Sequence, residues 1–380
     1  MKFKSLYAFL GAFLCIVAVS CGNSEKNTDT SSETESSTVT DIQTETEVTT
    51  AEETTVSETQ TENQSETTSE TSEENVSAYG TTADFNDYIT ATKVTPPVWK
   101  VTDPETNNEL YLMGTIHALP ENFTEFPDYV MDIYENSDGV AVEYDISKIQ
   151  SDIRELIKYQ QMYIYEDGST IQEHISDETY QKAKSYFESI GAYSDMLDNF
   201  SAGYWYSQIS SAMLLRLEHL SLTGVDSMFV KNATNDGKEV VNIETLDIQV
   251  GAVDAYSDEL VDFLMSEAID DIDNIDEYAE GLGELYNDWA SGDIDEVLNE
   301  DLDEIDELPE ELKDDYEDYM NVMLYNRNKG MADKASEFLK EGKNYFFMVG
   351  SAHYAGDKGV DDLLADMGYT VVSIHRAFCP

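Results

Sequence analysis

"LYLMGTIHALPENF", residues 110–123, is an apolar run that climbs to Gly114 and, three positions on, sets His117 at the mouth of a proline-containing loop. The same figure returns in "YFFMVGSAHYAGDKGV", residues 345–360, with Gly350 and His353. With five histidines and 20 glycines in 380 residues, chance supplies about a quarter of one Gly-x-x-His match. Two are present, each closing an apolar run. Such short runs read as buried strands, and the glycine permits a sharp exit or the close approach of another group.

Three further strands read the same way: "GVAVEYD" (139–145), "EVVNIET" (239–245) and, closing the chain, "TVVSIHR" (370–376). "PVWKVTD" (97–103) reads as the first arm of a hairpin into 109–117, with "PETNN" as its turn. Long helical periods separate the strands. Gly191 reads as the residue that ends a helix over 177–190, and acidic helices over roughly 253–320 read as a separate lobe. This alternation predicts an α/β domain with a mixed central sheet flanked by helices. The Asp-x-Asp start at Asp271 does not continue as a calcium loop, because Ile275 and Asp276 fall where a ligand and a glycine are required.

The ends follow other rules. Residues 1–20 put Lys2 and Lys4 ahead of an apolar core, as in a secretory signal too short for a span of about 20 apolar residues. The ending "AVSC" resembles a bacterial lipobox, with Ala18 where leucine is usual, so Cys21 is expected to carry lipid. Residues 21–84 are rich in Ser, Thr and Glu and read as a disordered linker, which leaves 85–380 as the folded domain. The chain is therefore expected outside the cytoplasm, anchored to the cell membrane by its lipid. From residue 81 onward 64 acidic residues face 18 basic ones, a surface unsuited to nucleic acid. Cys379 is left alone, so no disulfide framework or cysteine metal site is expected.

Four runs end in residues capable of chemistry: His117, Glu143, Glu244 and His353. In open α/β sheets ligands gather at the carboxyl ends of strands. Two imidazoles with one or two carboxylates suit a divalent ion such as Zn, Mn or Co, which would polarise a carbonyl and acidify a bound water. Glu244 reads equally well as a first-turn carboxylate facing a helix dipole. Arg327 reads as a group that orients substrate or as a structural ion pair. His174, His219 and His375 read as structural.

Taken in order, "YLMGTIHALP", "VAVEYD", "GVDSMF", "NIETLDIQ", "WASGD", "LYNRNKGMA" and "FFMVGSAHYAGDKGVDDLLADMGYTVV" resemble the TraB/GumN family, which includes PrgY and the Tiki proteases. The resemblance spans roughly 97–376 and implies a fold related to erythromycin esterase and ChaN. It implies a metal-dependent peptidase acting on extracytoplasmic peptides or proteins, with His117, Glu143 and His353 at the metal as ligands or base and Glu143 among the catalytic residues. Arg327 would be accessory, and Gly114 and Gly350 shaping positions. One departure is "AGYWYS", where Tyr204 precedes Trp205 and many members have Pro-Trp. Two other readings compete: a non-catalytic protein that sequesters a peptide pheromone or haem, and an esterase-like hydrolase with a histidine base and no metal.

Overall fold

The computed structural model describes residues 76–77, 79–294, 305 and 308–374. All six expected strands are present in one sheet: β1 (Val98–Thr102), β2 (Glu109–Thr115), β3 (Gly139–Val142), β4 (Glu239–Asn242), β5 (Tyr345–Gly350) and β6 (Thr370–Ser373). Their order is β4-β3-β5-β2-β1-β6. The first four run parallel, β1 is antiparallel to β2, and β6 is antiparallel to β1. The β1–β2 turn closes as its sequence predicts. Asp103 takes Glu105 N–H on its carboxylate at 2.8 Å, and Asn107 adopts a φ of 63°.

β3 and β5 are buried along their whole length, as strands covered on both faces must be. Strand alternation divides their side chains between two cores. Phe347, Val349 and Ala141 join Leu112 and Trp99 beneath Met331, Ala335 and Phe338 of the helix Asn326–Glu341. Phe346, Met348, Val140 and Val142 join Met113 in a larger core on the other face.

The helices named from here on are α1 (Ala202–Leu214), α2 (Val225–Asp236), α3 (Leu246–Val253), α4 (Asp258–Asp270), α5 (Ile275–Ser291), α6 (Lys313–Met320) and α7 (Asn326–Glu341). The expected helix stop is found: Asp177–Ser189 ends just before Gly191, whose φ is 71°. The acidic helices α4, α5 and α6 turn Asp258, Glu259, Glu317 and Asp318 outward. They do not enclose a core of their own, however. Leu260, Leu264, Trp289 and Tyr319 belong to the same cluster as Val98, Met113 and Phe346. Trp289, fully buried, donates its indole N–H to Gly114 O at 2.9 Å, which ties α5 to the end of β2.

Some residues ahead of 85 are also paired. Gly80–Thr81 pairs with Val76–Ser77, and Ala83–Asp84 pairs with Leu217–Glu218. Arg216 Nε donates to Thr81 O at 2.8 Å, and Phe85 is 1% exposed. One buried aromatic and a few backbone bonds hold a polar segment that hydropathy alone assigns to the linker. Cys21, Cys379, His375 and nearly all of the 21–84 linker lie outside the described residues. Among the described residues, no helix is long and apolar enough to cross a membrane.

Candidate functional site

The four parallel strands end on one side of the sheet, and each delivers one of the polar residues read from the sequence. β2 stops two residues before His117, β3 one before Glu143 and β4 two before Glu244. β5 ends at Gly350, and a 3-10 turn over Ser351–Tyr354 carries His353. The β3–β4 ladder continues into the site, with Ile243 N–H on Val142 O at 2.8 Å and Glu244 N–H on Glu143 O at 3.0 Å.

Arg327 joins the two glutamates. Its Nη2 donates to Glu143 Oε2 at 2.5 Å and to Glu244 Oε2 at 2.8 Å, its Nε donates to Glu244 Oε1 at 3.0 Å, and its Nη1 donates to Met323 O at 3.0 Å. Met323 lies in a π-helical turn over Asn321–Tyr325 between α6 and α7, a geometry often found at functional sites. Gln249 of α3 donates from Nε2 to Glu244 Oε2 and, at 3.2 Å, to Glu143 Oε2. Glu143 Oε1 accepts Gly350 N–H at 2.7 Å. Oε2 is thereby saturated, while Oε1 keeps one lone pair.

That lone pair faces His353. The amide of Asn328 donates from Nδ2 to Lys358 O at 2.9 Å, which turns its Oδ1 toward His353 Nδ1 at 2.6 Å. Nδ1 must carry the proton, so Nε2 is bare and lies 3.6 Å from Glu143 Oε1. His117 is half-buried, with Nδ1 at 3.7 Å from Asp226 Oδ1. Both glycines are closely approached by other groups. A Cβ on Gly350 would lie 3.3 Å from Glu143 Oε1 and 3.9 Å from His117 Nε2, and one on Gly114 would meet Ser351 Oγ at 2.8 Å and Pro97 Cγ at 2.9 Å.

The charges follow from this packing. Burial pushes the Glu143 carboxyl up, but Arg327, the two imidazoles and Gly350 N–H outweigh it and hold it well below the usual carboxylate range. It is an ionised, strongly held acceptor, and for that reason a weak base. Glu244 goes the other way, because burial exceeds what Arg327 returns. Burial disfavours the His117 imidazolium, yet the Asp226 and Glu143 carboxylates raise its pKa above the ordinary value. His353 is lowered to about 3 by burial, against the pull of Glu143.

A small cleft opens onto His117, Glu143 and Asp226, with Ile146, Leu222 and Ser227 in its walls. His353, Glu244 and Arg327 are not part of that lining; they are buried behind it. Nor does Tyr204 line it; its ring packs on Phe200 at 4.6 Å and Tyr163 at 5.2 Å. Sequence reasoning missed Asp226, Gln249 and Asn328. Gln249 left a trace as the lone amide in the apolar part of "LDIQVGAV". The remaining described histidines are structural: His174 stacks on Tyr165 at 4.0 Å and pairs with Asp258, and His219 pairs with Asp84 at 2.9 Å.

The donor set suits a divalent ion at the imidazoles, each with Nδ1 facing a partner and Nε2 turned to the site. Oε1 of Glu143 and Nε2 of His353 are two acceptors facing each other with no proton between them, an arrangement that favours a cation. Among the described residues, no set of three or more His, Cys, Asp or Glu side chains is arranged to hold a metal as it stands. Glu143 is drawn instead onto Arg327.

The sequence pattern of the TraB/PrgY/gumN family matches residues 97–373. The chain is 22% identical over 320 residues to "Metalloprotease TIKI2" of Danio rerio, covering 72% of this chain and 60% of that protein. It is 20% identical over 328 residues to "Metalloprotease TIKI1" of Danio rerio, covering 76% and 63%. It is 21% identical over 301 residues to "Metalloprotease TIKI2" of Xenopus tropicalis, covering 69% and 57%. The chain thus spans about 60% of the length of these relatives. No solved structure matches it.

Proposed function

The chain belongs to the TraB/PrgY/gumN family, and we propose that it is a metal-dependent peptidase acting on extracytoplasmic peptides or proteins. The observation that carries this reading is the meeting of His117, Glu143 and His353 at the ends of three parallel strands, beside a cleft. Nε2 of both histidines and the open lone pair of Glu143 Oε1 would hold Zn, Mn or Co. When bound, such an ion supplies a Lewis acid for the peptide carbonyl and lowers the pKa of a water.

The chain's own residues do the rest. Arg327, Gln249 and Gly350 N–H fix Glu143, so its charge stands where a cation is wanted. Arg327 acts through the glutamates and not on substrate, since most of its donors are spent on them. Ile146 and Leu222 offer the cleft an apolar wall for a peptide side chain. Anchoring through Cys21 belongs to the same reading, and Cys21→Ser should release the protein from membranes.

The test is a peptide-library digest by the purified protein, with each metal and with chelator. Cleavage that chelator abolishes is expected, and Glu143→Gln, which removes the charge that favours the cation, should lower it by at least about 10-fold. Cleavage indifferent to chelator would favour a histidine base without metal. No cleavage with any metal would leave a protein that sequesters its ligand.

A further inference from the structure

The partners of the two histidine Nδ1 atoms stand outside the Gly-x-x-His segments. Asp226 lies in the first turn of α2. Val225 N–H donates to Ile116 O at 2.9 Å and pins the start of that helix beside His117. Only glycine at 224 allows this, since a Cβ there would come within 2.8 Å of His117 Cα and 3.0 Å of Ile116 O. So placed, Asp226 Oδ1 is buried, makes no hydrogen bond, and faces His117 Nδ1 at ion-pair distance. Asn328 of α7 does the corresponding work for His353, its own amide fixed by Lys358 O.

We propose that Asp226 and Asn328 are positioning residues, which hold the Nδ1 sides of His117 and His353 so that both Nε2 atoms face the space before Gly350 and Glu143 Oε1. The purpose of this arrangement rests on the peptidase reading; its geometry does not. The bland account of Asp226 is a first-turn carboxylate that only favours the helix dipole. It predicts a change in stability and none in the ring.

The deciding measurement is histidine ¹⁵N NMR of the metal-free full chain at alkaline pH, where the rings are neutral. His117 and His353 should each show a protonated Nδ1 and a bare Nε2. Asp226→Ala should mix the tautomers of His117 alone, and Asn328→Ala those of His353 alone. Asp226→Asn, which keeps an acceptor, should restore the parent pattern. Zn²⁺ affinity, read by competition with a chelating dye, should fall about 10–100-fold in either alanine variant. Unchanged tautomers in Asp226→Ala and Asn328→Ala would overturn the proposal. Should Asn328→Ala fail to fold, Asp226→Ala decides alone. A parent protein with no affinity for Zn²⁺, Mn²⁺ or Co²⁺ would remove the peptidase reading, and the tautomers would still decide this one.

Discussion

Replacing Arg327 by methionine removes a cation held between two buried carboxylates. Glu143 and Glu244 are each 8% exposed, and Arg327 meets them through Nε and Nη2. Removing one partner of a buried ion pair costs about 3–5 kcal/mol, because the charge left behind has neither water nor partner. Methionine fills much of the volume, so the loss is electrostatic. At a urea slope of about 3 kcal/mol/M, the unfolding midpoint at pH 7 should fall by about 1–2 M. Glu244, already pushed up by burial, can escape by taking a proton, so the deficit should shrink at pH 5. The triple variant Glu143→Gln/Glu244→Gln/Arg327→Met removes all three charges and should regain most of the loss. A midpoint within about 0.3 M of the parent at pH 7, or equal losses at both pH values, would refute the reasoning.

Gly350→Ala should keep the fold but cripple cleavage and metal uptake, since its methyl enters the space shared by Glu143 and His117; circular dichroism beside a metal titration separates the two effects. Gly114→Ala presses on Pro97 and Ser351 and should cost about 1–3 kcal/mol in urea unfolding. Phe85→Ala should cost about 3 kcal/mol and expose residues 79–88 to protease; a variant as stable and as resistant as the parent would refute this. The histidines should tilt stability in opposite directions. His353 resists protonation down to about 3, while the unfolded ring takes a proton near 6.5, so stability should fall as pH drops through that window. His117 is raised, so its contribution is full below the unfolded value and fades as pH climbs through the folded one. Urea unfolding of His353→Gln across pH 4–7 should show a shallower acid slope than the parent.

The strands were legible because burial on both faces leaves continuous β-branched and aromatic runs, and "GVAV" and "YFFMVG" admit no other reading at that length. The four polar residues at the strand ends were legible because each closely follows such a run. Asp226 was hidden by its own surroundings, since an acidic first turn after glycine is ordinary helix chemistry. Asn328 was masked by Arg327 beside it. Nothing in "NRNKG" says that both neighbours face inward, which depends on the π-helical turn before them. The pairing of residues 80–84 was hidden for a similar reason: an anchor of that segment is Arg216, more than 130 positions away.

The place of β5 in the sheet has a consequence for how the protein is made. It lies between β2 and β3, although it comes some 200 residues after them. During synthesis those two strands have no common neighbour until residue 350 has left the ribosome, and Glu143 lacks both Arg327 and Gly350 N–H until then. A truncated or half-translated chain therefore holds the parts of the site without the site. Non-local closure of this kind is slow and leaves apolar edges waiting, and it also means that whatever chemistry the site performs cannot begin on an unfinished chain.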